Sequence, residues 1–257
     1  AQYWRLPEIG AVAPGYLANL VVLGSLDEVR VEQVYHRGRL VAEHGEAVGD
    51  YPASPPPESL TRTVEVAPLR RSDLALPDGT TRAIAVVPGQ IVTRSIDIAP
   101  GPDGQPATVD IDRDLLKVVC VERHHATGRV GVGLVHGFGL TRGALASTIA
   151  HDAHNIVAVG ASDEDMLAAI AAVADSQGGL AVVAGGRVQA HLPLPIAGLM
   201  SNRPLPEVAA AYAALKAAAH ALGCTLDDPF GQLAFLALSV IPEARITDRG
   251  LLLVDMG

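Results

Sequence analysis

Between residues 20 and 42 apolar and polar positions alternate in short bursts. Residues 20–23 form an apolar strand, Val29, Val31 and Val34 punctuate a second, and His36-Arg-Gly38 turns the chain into a third at 39–42. The spacing predicts a small antiparallel β segment, a piece too small to be stable alone. Ser54-Pro-Pro-Pro57 then breaks the periodicity and predicts a linker. A boundary near residue 55 follows, dividing the chain into 1–54 and 55–257.

Beyond the linker, apolar runs predict strands at 83–87, 91–96, 116–121, 131–135 and 156–159. Residues 142–150 carry small side chains at helical spacing and are read as helical. Ser162 before Asp163-Glu-Asp165 predicts an N-cap with acids in the first turn, opening a helix that runs to about Asp175. Residues 180–183 and 187–192, joined by Gly185-Gly186, predict a hairpin. The Ala-rich stretch 205–222 is a helix with Pro206 in its first turn and Gly223 as its C-cap. Residues 229–240 read as a short helix or buried turn, and 251–254 as a closing strand. The proline-bearing segment 192–197 reads as an extended edge, with Leu199 and Met200 as a buried plug. Strands and helices mingle without strict alternation, so the expected fold is α+β: layered mixed β-sheets with flanking helices, preceded by the small β segment.

Composition narrows the function. With 257 residues, 49% of them hydrophobic, the chain can bury a sizeable core. A net charge of −9 argues against phosphate-backbone binding, and 4% aromatics against a stacking platform for single strands, so no nucleic-acid partner is expected. The longest strongly apolar run, 233–241, is too short to span a bilayer, and no charged, apolar, small-residue signal opens the chain. The chain is therefore read as soluble and cytoplasmic. Cys120 and Cys224 lack metal-ligand spacing and are read as reduced thiols. The start at Ala1, with no Met, reads as a chain cut from something longer.

The densest chemistry is His151-Asp-Ala-His-Asn155, two imidazoles, a carboxylate and an amide in five residues. Metal-assisted hydrolysis needs three or more such ligands and an open position. His151 and His154, with His124 and His125, are the candidate ligands, although their spacing matches no established metal motif. Against that stands a polar loop whose His and Asn cap backbone groups. Ser147, one helical turn before His151, is a candidate nucleophile without the strained Gly-x-Ser-x-Gly elbow, and so reads better as a small packing residue. Gly137-Phe-Gly-Leu-Thr-Arg-Gly143 invites a phosphate-loop reading, but its spacing fits neither fingerprint and points to close backbone approach or tight turns. Arg142 within it is a candidate partner for an anion or carboxylate. Glu122-Arg-His-His125 is read as a solvated strand end.

Together, Gly137-Phe-Gly-Leu-Thr-Arg-Gly-Ala-Leu-Ala-Ser147, Ala150-His-Asp-Ala-His-Asn-Ile156, Val159-Gly-Ala-Ser-Asp-Glu-Asp-Met166, Leu192-Pro-Leu-Pro-Ile-Ala-Gly-Leu-Met-Ser201 and Thr247-Asp-Arg-Gly-Leu251 resemble the C-terminal region of the bacterial adenine deaminase family, in the amidohydrolase superfamily. The resemblance is dense from about residue 115 onward and looser over 55–110. Residues 9–42 resemble the strand segment that follows the amidohydrolase barrel. The resemblance implies hydrolysis of adenine to hypoxanthine and ammonia by a metal-bound hydroxide, with a divalent metal (Mn, Fe or Zn) held by an N-terminal (β/α)8 barrel. This chain has no His-x-His pair and no room for a complete barrel, which takes about 250 residues. It is accordingly expected to be inactive alone. The implied partners are the N-terminal barrel of the same protein, adenine as substrate, and further copies of the chain in a homo-oligomer. His151, Asp152, His154 and Asn155 match the family motif residue by residue, and with Arg142 are the candidate pocket residues, closing the purine site or orienting its ligands. A non-catalytic assembly module and an independent metal-binding module using the His cluster are the alternatives. Asn19 stands where the superfamily usually has Asp, and Gly231 and Ser239 replace larger or stiffer residues.

Overall fold

The computed structural model describes residues 1, 3–49, 55–99 and 107–254, in two units, Ala1–Pro55 and Pro56–Gly257. Ser54 of the expected linker lies outside the described residues. The first unit is an antiparallel meander of β1 (Leu20–Ser25), β2 (Arg30–His36), β3 (Arg39–Glu43) and β4 (Glu46–Ala47). Asn19 Oδ1 accepts the Arg37 N–H at 2.9 Å, so the amide holds the turn between β2 and β3. None of this unit's described residues is buried.

The second unit is built on an open sheet of eight strands. In chain order these are β5 (Arg82–Val86), β6 (Thr93–Asp97), β7 (Leu115–Val121), β8 (Val130–His136), β9 (Ala144–Ser147), β10 (Ile156–Gly160), β11 (Gly179–Ala184) and β12 (Arg187–Pro193). They lie in the order β12-β11-β9-β10-β7-β8-β5-β6, antiparallel except where β5 runs parallel to β8. Helix α1 (Asp163–Asp175) covers one face, burying Met166, Ala169, Ile170 and Val173 against Val119, Val121, Ile156 and Ala158. Helices α2 (Leu205–Ala221) and α3 (Pro229–Phe235) cover the other, where Leu215, Phe230 and Leu233 meet Leu116, Val118, Cys120, Val157 and Val159. Every residue of β7 and β10 is buried, as central strands covered on both faces must be. The layered α+β architecture expected from the sequence is present.

The Ser162 cap is as expected, its side chain accepting the Asp165 N–H at 3.3 Å. The helix read over 142–150 is instead strand β9, because a four-residue run hemmed in by Gly143 and the following loop pairs with β10 on one side and β11 on the other. Tertiary pairing there overrides the helical preference of alanine. Met200 is 56% exposed and Leu199 only partly buried, so they form no buried plug: residues 196–200 close into a bridged turn that leaves Met200 facing solvent.

A last hairpin, β13 (Ala244–Thr247) and β14 (Gly250–Leu253), lies across the α2/α3 face of the sheet. It can do so because β8 presents Gly131 and Gly133 there. A Cβ on Gly131 would sit 1.7 Å from the Thr247 carbonyl oxygen and 2.5 Å from the Gly250 nitrogen. Arg245 of β13, wholly buried, donates to the carbonyls of Ile241 (2.6 Å), Phe235 (2.7 Å), Ile91 (2.8 Å) and Pro242 (2.8 Å). Burial lowers its pKa to about 10.

Gly131→Ala should therefore unseat the hairpin, lowering stability by about 1–3 kcal/mol as overpacking does. Urea unfolding checks this, and Gly133→Ala, whose Cβ would meet the Ile246 side chain at 3.5 Å, should cost less.

Candidate functional site

The five-residue motif lies in the loop from β9 to β10, whose backbone is fixed at both ends. The His151 N–H donates to the Ala234 carbonyl of α3 at 3.0 Å, and its ring packs against Phe235 with centroids 4.8 Å apart. His154 folds back on the loop: its N–H donates to the Ala150 carbonyl at 2.6 Å, and its Nδ1 accepts the Ala150 N–H at 3.3 Å. The two imidazoles meet edge to face at 5.5 Å. Arg123, 1% exposed, clamps the loop from beneath. Its Nε donates to the His154 carbonyl, and its terminal nitrogens reach the carbonyls of Ala197 (3.2 Å) and Thr63 (3.5 Å). Burial holds its pKa below the ordinary arginine value.

The remaining members of the motif face a cavity of about 520 Å³. Asp152, Ala153 and Asn155 form one side, Cys120 of β7 part of the floor, and Thr247 to Leu252 of the β13–β14 hairpin the opposite wall, with Ala237 and Ser239 after α3 completing the lining. Asn155 is 6% exposed, and its buried Oδ1 has no hydrogen-bond partner among the described residues. Its amide lies beside the Cys120 thiol, whose pKa is pushed up to about 12 by burial first and by the Asp248 charge second. That thiol is a packing group, since the thiolate is the nucleophile. Asp248 Oδ2 accepts from Arg129 Nε at 2.6 Å.

The motif is thus divided: histidines anchor, and Asp152 and Asn155 reach the cavity. Ser147 sits in a strand with its hydroxyl donating to the Ile149 carbonyl at 3.0 Å, so the helical proximity to His151 that suggested a nucleophile does not exist. Arg142 donates to the Ala221 carbonyl at the end of α2 (3.4 Å), where a cation suits the helix dipole, and is outside the cavity lining. The glycine-rich loop does cradle an anion, but the anion is internal: Gly137 and Gly139, at φ +106° and +74°, donate to the Asp114 carboxylate at 3.0 and 2.7 Å.

Glu122 and Arg123 are buried, which corrects the reading of 122–125 as a solvated strand end. Backbone donors explain it. Glu122 accepts the N–H groups of His124 (2.5 Å), His125 (2.9 Å) and Thr127 (3.0 Å) and the Thr127 hydroxyl (2.8 Å). Burial alone would raise its pKa, yet these hydrogen bonds bring it down to about 2. His124 is exposed, its Nε2 2.7 Å from the Ala153 carbonyl. Among the described residues no three His, Cys, Asp or Glu side chains group so as to hold a metal ion, and the four candidate histidines form no ligand set. Nor, among those residues, is any helix long and apolar enough to cross a membrane.

Sequence reasoning missed Cys120, Thr247 and Asp248 as cavity residues. Asp248 had a signal in the polar turn Thr247-Asp-Arg-Gly250, whereas Cys120 inside an apolar run had none.

The family model for the adenine deaminase C-terminal domain matches residues 90–256. An adenine deaminase of Dehalococcoides mccartyi is 44% identical over 257 residues, covering 99% of this chain and 45% of that protein. Adenine deaminase 2 of Carboxydothermus hydrogenoformans is 43% identical over 255 residues, with 98% and 44% covered. An adenine deaminase of Brucella abortus is 45% identical over 260 residues, with 99% and 44% covered. The chain spans somewhat less than half the length of these curated relatives.

Burial, then the neighbouring His151 and Arg123, lower the His154 pKa below its ordinary 6.5. The unfolded chain therefore takes up this proton at a higher pH than the folded one, so the loop's contribution is present above 6.5 and lost as pH falls through the depressed folded value. His154→Gln should flatten the difference in urea midpoint between about pH 7.5 and about pH 5.5, checked against the unsubstituted protein. Glu122 acts at lower pH: its contribution is present above 4.5 and is lost on descending toward about 2. Glu122→Gln should cost about 1–3 kcal/mol near neutrality, read from the same unfolding curves.

Proposed function

The chain belongs to the adenine deaminase family, as its C-terminal portion, and we propose that it serves an enzyme hydrolysing adenine to hypoxanthine and ammonia. The observation carrying this is the 44% identity maintained over 99% of the chain to a protein of that name. The divalent metal such an enzyme is proposed to use finds no ligand set among the described residues here. In the same proposal, metal binding and hydrolysis are assigned to the part of the relatives that this chain does not span.

The role left to this chain is to shape the purine pocket. In the proposed arrangement the loop 148–155 is the working element, because it is a polar segment braced at once by a buried cation and by a helix. Arg123 fixes its carbonyl at His154, and α3 fixes its N–H at His151. Val240, Leu252 and Leu253, 72%, 38% and 49% exposed beside the cavity, are the apolar surface we propose the remaining length of the relatives covers. The assembled protein would act in the cytoplasm.

Joining the chain to the N-terminal part of a relative should give a protein that turns over adenine. In it, His154→Ala should lower kcat/KM for adenine by about 10–100-fold, the range for residues that orient a reacting site from outside it. Steady-state kinetics on a variant with an unchanged circular dichroism spectrum decide the matter. Unaltered constants would reject a role for the loop.

A further inference from the structure

Two charges on the cavity lining stand without a counterpart. Asp152, on the β9–β10 loop, makes no hydrogen bond or ion pair with any described residue of its unit, its charge reaching His154 only at longer range. Across the space, on the hairpin turn, the Arg249 guanidinium is equally unpaired among the described residues; its backbone N–H alone is held, by Thr247 Oγ1 at 3.2 Å. The neighbouring Asp248 differs, because it accepts from Arg129 Nε at 2.6 Å. Both unpaired side chains are exposed and hydrated, so their charges alone name no occupant. The apolar rim narrows the choice. Arg245 draws the carbonyls of Ile91, Ile241 and Pro242 together and lies opposite Leu252 in the hairpin. Around that buried cation Ile91 is left 47% exposed, and Val240, Leu252 and Leu253 are exposed as well. Of these four, Leu252 alone lines the cavity. A small molecule seated inside would leave the other three in water, whereas a polypeptide laid across the mouth would cover them.

An apolar centre bordered by charges of both signs is the composition of a protein–protein contact, where the charges select partner and register. We propose that this cavity and its rim are a docking socket for a polypeptide segment from the part of the adenine deaminases that this chain does not span. That segment sets a cationic side chain against Asp152, an acidic one against Arg249 and an apolar one over Val240 and Leu252. The proposal rests on the family reading above and says which groups of this chain the remaining length engages. It commits to that occupant because the matched span is 45% of the Dehalococcoides mccartyi relative, so more than half of such a protein is available in the same molecule. A segment tethered in this way docks at high effective concentration, and individually weak rim charges can then fix its register.

The test is covalent labelling of a cysteine placed at the rim. Ser239→Cys, at an exposed lining position, is treated with a maleimide in the 257-residue chain and in the same chain joined to the N-terminal part of the Dehalococcoides mccartyi relative. Modification at residue 239 is followed by peptide mass spectrometry. Labelling should be at least about tenfold slower in the joined protein, while Ala214→Cys, on the exposed side of α2, reacts equally in both. In the joined protein Asp152→Arg and Arg249→Asp should each speed labelling at residue 239 by about threefold or more, as the docked segment opens more often. The N-terminal part supplied as a separate chain gives the same comparison if the fusion does not fold. Equal rates at residue 239 in the two proteins overturn the docking, and so does protection that neither charge reversal alters. Protection already present in the 257-residue chain also overturns it: growth with protein concentration assigns the face to a second copy, and appearance on adding adenine assigns the cavity to a small molecule. Adenine hydrolysis by the joined protein without protection at residue 239 removes the socket and leaves the family function. Protection without hydrolysis does the opposite.

Discussion

Two arginines sealed from water, with no carboxylate partner among the described residues, set the terms for this molecule. A guanidinium has five donors and cannot readily shed its charge, so burial is tolerable only if carbonyl oxygens converge on it. Arg123 and Arg245 do this by drawing in backbone from segments far apart in sequence: Thr63, His154 and Ala197 for one, Ile91, Phe235, Ile241 and Pro242 for the other. The segments so gathered include the β9–β10 loop and the root of the β13–β14 hairpin. These are the two sides of the cavity, so its shape follows from where the two charges can be satisfied.

Packing supplies the complementary constraint. The hairpin lies so close to β8 that a single methyl at Gly131 would overlap the Thr247 carbonyl. Absent side chains on one strand thus bring Thr247 and Asp248 within reach of a floor built from Cys120 and Asn155. The same economy appears in the glycine-rich loop, whose left-handed residues aim N–H groups at Asp114 and hold the β8–β9 connection without any external anion.

The loop joins two physical roles in adjacent residues. His151 and His154 spend their polar atoms and ring faces on α3, on Ala150 and on one another, which holds the backbone still. Asp152 and Asn155, alternating with them, are thereby presented to the cavity at a defined position.

Periodicity and punctuation determined much of this from sequence alone. The Ser162 cap with its acidic first turn, the Gly185-Gly186 hairpin, the apolar central strands and the α+β class all rest on local rules. The run 144–147 was illegible because alanine favours a helix and only pairing with two neighbours makes it a strand. The dense polar motif announced itself in the sequence, but its division into anchors and cavity residues did not. That division depends on what lies opposite each side chain, Phe235 and Ala234 for one histidine, Cys120 and the hairpin turn for the asparagine. The burial of Glu122 and Arg123 has the same cause: residue type places such groups at the surface, and only converging backbone donors and carbonyls, assembled by the tertiary structure, make the interior tolerable for them.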